Sequence, residues 1–165
     1  MICPPRLQPV SSVSIAHISE TPPPFLRKRR YKGKRAEGIR YERKIQAHLM
    51  YEFPDSYVPS PWLRFKEEGA EKFRWCQPDG LIVDMPRGIV TCCEIKYSHT
   101  SDAWWQTRKL YMPVLAHIFP PSAWDIQVCE IVRWYDPSTA FPEPIELASE
   151  PHRPSKKFKV HICRP

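Results

Sequence analysis

Gln77-Pro78-Asp79-Gly80-Leu81-Ile82-Val83-Asp84-Met85-Pro86-Arg87-Gly88-Ile89-Val90-Thr91-Cys92-Cys93-Glu94-Ile95-Lys96 is the stretch that sets how this chain folds. Two runs of β-forming residues, 80–84 and 89–97, flank Met85-Pro86-Arg87-Gly88, whose proline and glycine have turn chemistry, so a hairpin is predicted. The second run is apolar on both sides, as expected of a central strand covered on both faces. Within it Glu94 and Lys96 are two residues apart and project from the same face. A carboxylate and an ammonium placed there cost several kcal/mol unless partners compensate them. The hairpin carries Asp79, at the start of its first strand, beside the end of the second. Asp79, Glu94 and Lys96 are therefore expected to converge at one corner of a sheet.

Two neighbouring carboxylates repel, and a hard divalent cation relieves that repulsion. Mg²⁺ takes oxygen ligands and keeps several waters, so Asp79, Glu94 and the carbonyl of Ile95 between the two side chains suffice as protein ligands. Such an ion lowers the pKa of a bound water and offsets charge building on a phosphate. Lys96 would hold or deprotonate that water, or stabilise the transition state. The plainer alternative is a buried Glu94–Lys96 ion pair with Asp79 as a turn residue.

On the N-terminal side of the hairpin, residues 36–53 predict a helix with Ile39, Glu42, Ile45, Leu49 and Phe53 near one face, ended by Pro54. Gly38 lies one turn before Glu42 on the same side. Residues 57–66 predict an edge strand interrupted by Pro59 and Pro61. Glu67-Glu68-Gly69-Ala70 then forms a turn, and Lys72–Cys76 returns antiparallel. On the C-terminal side, Ser101 is a suitable N-cap for a helix over 102–117, with Trp105, Leu110, Val114 and Ile118 as its buried side. Pro113 implies a kink there or two shorter pieces. Residues 125–134 and 157–162 predict two further strands, and residues 1–26 read as a Pro/Ser-rich leader without clear periodicity.

Pro78-Asp79, the hairpin and Glu94-Ile95-Lys96 resemble the core motif of the PD-(D/E)XK nuclease superfamily. Glu42, preceded by Gly38, resembles the helix acid of exonuclease-type members. Gln106 with Tyr111 resembles their Gln-and-Tyr motif, whose usual spacing is one residue shorter. The resemblance spans about residues 36–135 and implies an α/β fold with a restriction-endonuclease-like core, a mixed central β-sheet flanked by helices. It implies a Mg²⁺-dependent deoxyribonuclease, Mn²⁺ substituting, with Asp79, Glu94, Lys96, Glu42 and Gln106 catalytic and Asp79, Glu94, Ile95 and Glu42 around the metal. Exonuclease-type, junction-resolving and restriction-like members share this core, and a dimeric branched-DNA resolvase is one form such a chain could take.

The rest of the sequence bears on partners. At 165 residues one domain is expected, with 1–35 as leader and basic arm, 36–135 as core and 136–165 as a Pro-rich, basic extension ending in a short strand. The 20 prolines are concentrated at the two ends, leaving the middle to fold. Arg27, Lys28, Arg29, Arg30, Lys32, Lys34 and Arg35 account for the whole formal net charge of +7. So dense a cluster of cations points to phosphate backbones, the alternatives being a solvated tail or a nuclear-import signal. His99 is a candidate phosphate contact, and Trp104 a candidate stacking surface for an unpaired base.

The six cysteines form no CxxC pair, and Cys92 and Cys93 point to opposite faces of a strand, so reduced thiols of an intracellular protein are expected, cytoplasmic or nuclear. No run is long enough to span a bilayer, and no phosphate-binding ATPase motif is present. Two other functions compete with the nuclease. One is a catalytically inactive nucleic-acid-binding or assembly protein that keeps the fold. The other is a zinc-stabilised adaptor built on Cys76, Cys92, Cys93 and Cys129.

Overall fold

A computed structural model of the chain describes residues 9–26, 31–97, 101–132 and 159–163, with backbone alone for 101–102 and 159–163. In chain order its elements are β1 (Val13–Ser19), α1 (Lys34–Glu52), β2 (Tyr57–Pro59), β3 (Trp62–Glu67), β4 (Arg74–Cys76), β5 (Gly80–Asp84) and β6 (Ile89–Lys96). There follow α2 (Ser101–Trp105), a π-helical segment (Gln106–Tyr111), α3 (Met112–Ile118), β7 (Asp125–Val132) and β8 (Lys159–Cys163).

The hairpin β5–β6 forms as its turn residues dictate, with Gly88 at φ 63°. It sits inside a five-stranded sheet of order β2-β5-β6-β7-β8, antiparallel from β2 to β6 and parallel from β6 to β8. β6 is buried from Val90 to Ile95, as its mostly apolar sequence favours for a covered strand, with Thr91 and Glu94 as its buried polar residues. The molecule is thus a mixed α/β fold with two sheets.

Each face of this sheet carries its own core. On one side Ile45 and Leu49 of α1 pack with Tyr57, Ile82, Cys93, Ile95, Cys129 and Ile131. On the other, Leu81, Val90, Cys92 and Val128 pack against Leu110, Val114 and Leu115 of the second helical stretch and against Leu63 and Phe65 of β3. Cys92 and Cys93 do part to opposite faces, and Cys76, Cys92, Cys93 and Cys129 are all buried thiols outside any disulfide.

Two readings of the sequence need correction. The stretch 57–66 is not one edge strand: β2 is the edge of the five-stranded sheet, whereas β3 is the middle strand of a second sheet, order β1-β3-β4. Ser60, at φ 44°, makes the sharp turn between them, so the prolines around it mark a change of sheet. The stretch 1–26 is not featureless either, because Val13–Ser19 is a strand paired antiparallel with β3 and Val10 is buried. A register irregularity between Val13 and Ile15 breaks its two-residue alternation, which hid it from a reading by periodicity.

The predicted helix over 102–117 forms in three pieces. Pro113 falls in the first turn of α3, where its missing N–H is tolerated, and the π-helical segment precedes it. α1 runs as expected to Glu52, where Pro54 prevents a further turn.

Candidate active site

The corner where β5 begins and β6 ends is built by the sequence Pro78-Asp79. Antiparallel pairing of β5 with β6 runs back to Gly80 opposite Cys93. One step further the Asp79 side chain takes over, its Oδ2 accepting the Ile95 N–H at 2.6 Å. Continuing the register would set Pro78 opposite Ile95, and proline has no N–H to offer the Ile95 carbonyl. In an extended strand a residue's N–H and C=O point to the same side, so that carbonyl projects toward the Asp79 edge.

Glu94 and Lys96 project from the face of β6 that carries Cys92, as their spacing predicted. Lys96 Nζ lies 2.5 Å from Glu94 Oε1 and donates to Gln106 Oε1 at 3.1 Å. Glu94 is 2% exposed, and its second oxygen, Oε2, is buried with no hydrogen-bond partner. A buried carboxylate oxygen without a donor costs about 1–3 kcal/mol or more, and it is the kind of atom a cation would satisfy.

The π-helical segment explains the spacing of Gln106 and Tyr111. Its extra residue per turn brings residues five apart onto a common side, as residues four apart are in an α-helix. Gln106 thereby reaches Lys96, while the buried Tyr111 hydroxyl donates to the Gln77 carbonyl at 3.0 Å. Both side chains fasten the helical stretch to the corner.

From the opposite face, α1 contributes Glu42 and, one turn on, Gln46. Gln46 Nε2 donates to the Asp79 carbonyl at 2.9 Å and to Ser60 Oγ at 2.7 Å, and approaches Glu42 Oε1 at 3.4 Å. The Asp79 carbonyl also accepts from the Ser60 N–H at 3.1 Å and from the Tyr57 hydroxyl at 3.3 Å. Three donors from three places in the chain thus fix the Asp79 backbone. Gly80 permits this arrangement, since a Cβ there would collide with the Tyr57 ring.

Burial raises all three acids, and the Asp79 charge adds to it at Glu94 and Glu42. Burial, then the Asp79 charge, pushes Glu94 up to about 8 against the pull of Lys96. Burial and the Asp79 charge likewise push Glu42 up to about 7. Burial raises the Asp79 carboxyl, opposed by the Ile95 N–H and the Lys96 charge. For Lys96, burial favours the neutral amine, but Glu94, its hydrogen bond to Glu94, Asp79 and Glu42 outweigh it, so the ammonium is held charged. This surplus of confined negative charge suits a cation. Among the described residues, no three His, Cys, Asp or Glu side chains close on one point as a finished cage. Mg²⁺ does not require one, because it retains several of its waters.

Of the expected nucleic-acid contacts, Lys32, Lys34, Arg35 and Trp104 fall among the described residues. Lys32, Lys34 and Arg35 are exposed at the start of α1, with the Arg35 guanidinium 4.4 Å from the centre of the Tyr31 ring. Trp104 is 48% exposed and carries the Arg108 guanidinium 5.0 Å from its ring centre, whereas Trp105 packs against the core. Arg27, Lys28, Arg29, Arg30 and His99 lie outside the described residues.

The sequence reading missed Gln46, Ser60 and Tyr57, which donate to a backbone carbonyl and leave no spacing signature. It also missed Glu130, buried on β7 level with Glu94, whose Oε1 takes the Arg108 Nη1 at 2.9 Å. Comparison with known proteins finds no matching family model, no matching curated protein and no matching solved structure.

Proposed function

We propose that the chain is a metal-dependent DNA nuclease with a restriction-endonuclease-like core, hydrolysing phosphodiester bonds at the Asp79–Glu94–Lys96 corner. The observation that carries this reading is the buried Glu94 Oε2 without a partner, in a group of three carboxylates, Glu94, Asp79 and Glu42, whose pKa values are all raised, and beside a charged lysine. Asp79, Glu94 and the Ile95 carbonyl, with Glu42 nearby, would hold a Mg²⁺ or Mn²⁺ ion, which supplies an acidified water and offsets charge on the phosphate.

The chain's own groups divide the remaining work. Lys96, held charged between Glu94 and Gln106, acts as a donor and not as a base: it orients the attacking water and stabilises charge developing on the phosphate. Gln106 and Glu94 keep its Nζ in place. The hydrogen bonds from Gln46, Ser60 and Tyr57 hold Asp79 so that its carboxylate needs little reorganisation. Lys34 and Arg35 begin α1, whose rise of 1.5 Å per residue puts them roughly 10–12 Å from Glu42 along the helix, a reach of one or two nucleotides, and Lys32 lies just before it.

The test is to incubate the full chain with linear, nicked, single-stranded and branched DNA in Mg²⁺, Mn²⁺ or EDTA. Cutting that requires the metal supports the nuclease, and the substrate cut fastest defines its branch. Binding without cutting on every substrate would replace it with a non-catalytic DNA-binding protein.

A further inference from the structure

The outward face of the β1-β3-β4 sheet has a composition unrelated to support of a core. By register, Trp62, Arg64 and Lys66 of β3 point away from the buried Leu63 and Phe65. Trp75 of β4 lies opposite Arg64 on the same face, and His17 of β1 flanks Arg64 on the other side. The Arg64 guanidinium sits 3.9 Å from the centre of the Phe73 ring and 5.6 Å from that of Trp75. Trp62 meets Trp75 edge to face at 6.5 Å.

Arg64 has no carboxylate partner among the described residues, and its Nε is buried without an acceptor. No outward position of the three strands is acidic: Glu67 lies on the core side opposite Val13, where it pairs with Arg74. A half-buried guanidinium with one N–H buried and unsatisfied is open to an anion. The face also begins close to the candidate active site in the chain: Ser60, whose N–H binds the Asp79 carbonyl, is two residues before Trp62, which leaves at most roughly 7 Å of chain between them.

We propose that this face is a single-stranded nucleic-acid platform leading to Asp79, on which bases stack against Trp62 and Trp75 while Arg64 and Lys66 take the phosphates. Alternating rings and cations suit a single strand, whose bases are free to stack, and not a duplex, whose bases are already stacked. The proposal rests on the nuclease reading for its substrate, and it makes that substrate a frayed or single-stranded end.

The test measures binding separately from cutting. Labelled single-stranded and blunt duplex oligonucleotides are titrated in EDTA against the wild type, Trp62→Leu, Trp75→Leu and Trp62→Phe. The Leu variants are expected to bind the single strand roughly 10-fold more weakly, with duplex binding little changed, and Trp62→Phe to retain most of the affinity. Photocross-linking of a bromouracil oligonucleotide to the wild type covers the case in which a Leu variant fails to fold; cross-links are expected at Trp62 or Trp75. Folded Leu variants that bind single strands normally, or cross-links confined to Trp104, would overturn the platform and leave a metal-dependent cutting result standing. Loss of single-strand affinity in a chain that cuts nothing would retain the platform and remove the nuclease.

Discussion

Glu94 shows how strongly one residue can shape the site. The fold accepts its carboxyl more easily as the neutral acid, with a pKa near 8 against an ordinary 4.5. A raised acid contributes stability that is complete below about 4.5 and is lost as the pH climbs through about 8. Glu42, raised to about 7, acts in the same window and direction. The metal-free chain is therefore expected to melt progressively lower as the pH goes from 5 to 8.5, and Mg²⁺ to restore the loss at the alkaline end. Glu94→Gln should flatten this dependence, raising the pH 8.5 melting temperature in EDTA by several degrees, since 1 kcal/mol is worth about 2–4 °C in a chain of this size. The same substitution should abolish cutting. A melting temperature that does not move with pH in EDTA would contradict the electrostatic account. The convergence of Asp79, Glu94 and Lys96 was legible in the sequence because strand alternation and hairpin geometry are local rules. The donors on the Asp79 carbonyl were not, because Gln46, Tyr57 and Ser60 reach it from distant parts of the chain.

Among the secondary-structure elements, the second helical stretch is held to the sheet by a polar clamp. Arg108 and Glu130 pair with side chains only 14% and 4% exposed, two residues from the Gln106 that steadies Lys96. Removing the cation leaves a buried carboxylate uncompensated, at a cost of about 3–5 kcal/mol. Arg108→Ala is accordingly expected to lower the melting temperature by roughly 10 °C, while replacing both residues by Leu recovers most of the loss. An unchanged Arg108→Ala melting curve would remove the clamp. Helix type was legible over 102–117, but the π-helical segment was not, since an inserted residue alters the period without altering composition. β1 escaped for a related reason: Ile15 and Ile18, three residues apart, fall on opposite faces and both are exposed, so the apolar pattern does not mark a buried side.

Across the molecule, the stretch 57–66 links two sheets, and the leader supplies one of their edges. Ser60, in the turn between the two sheets, contacts the Asp79 corner, and α1, whose start carries exposed cations, contributes Glu42 and Gln46 to it. Replacing Lys32, Lys34 and Arg35 by Ala should weaken duplex binding and reduce the slope of log affinity against log salt by about 0.9 for each phosphate no longer neutralised. An unaltered slope would mean that these cations do not touch DNA. In the proposed mechanism Lys96 differs from them, acting on the reacting groups and not on the rest of the bound DNA. Comparing the wild type with Lys96→Ala on one DNA substrate in Mg²⁺, following cutting and binding together, therefore probes the proposed chemistry itself. Cutting abolished with binding largely retained is the predicted result; Lys96→Ala cutting at the wild-type rate would contradict the proposed mechanism.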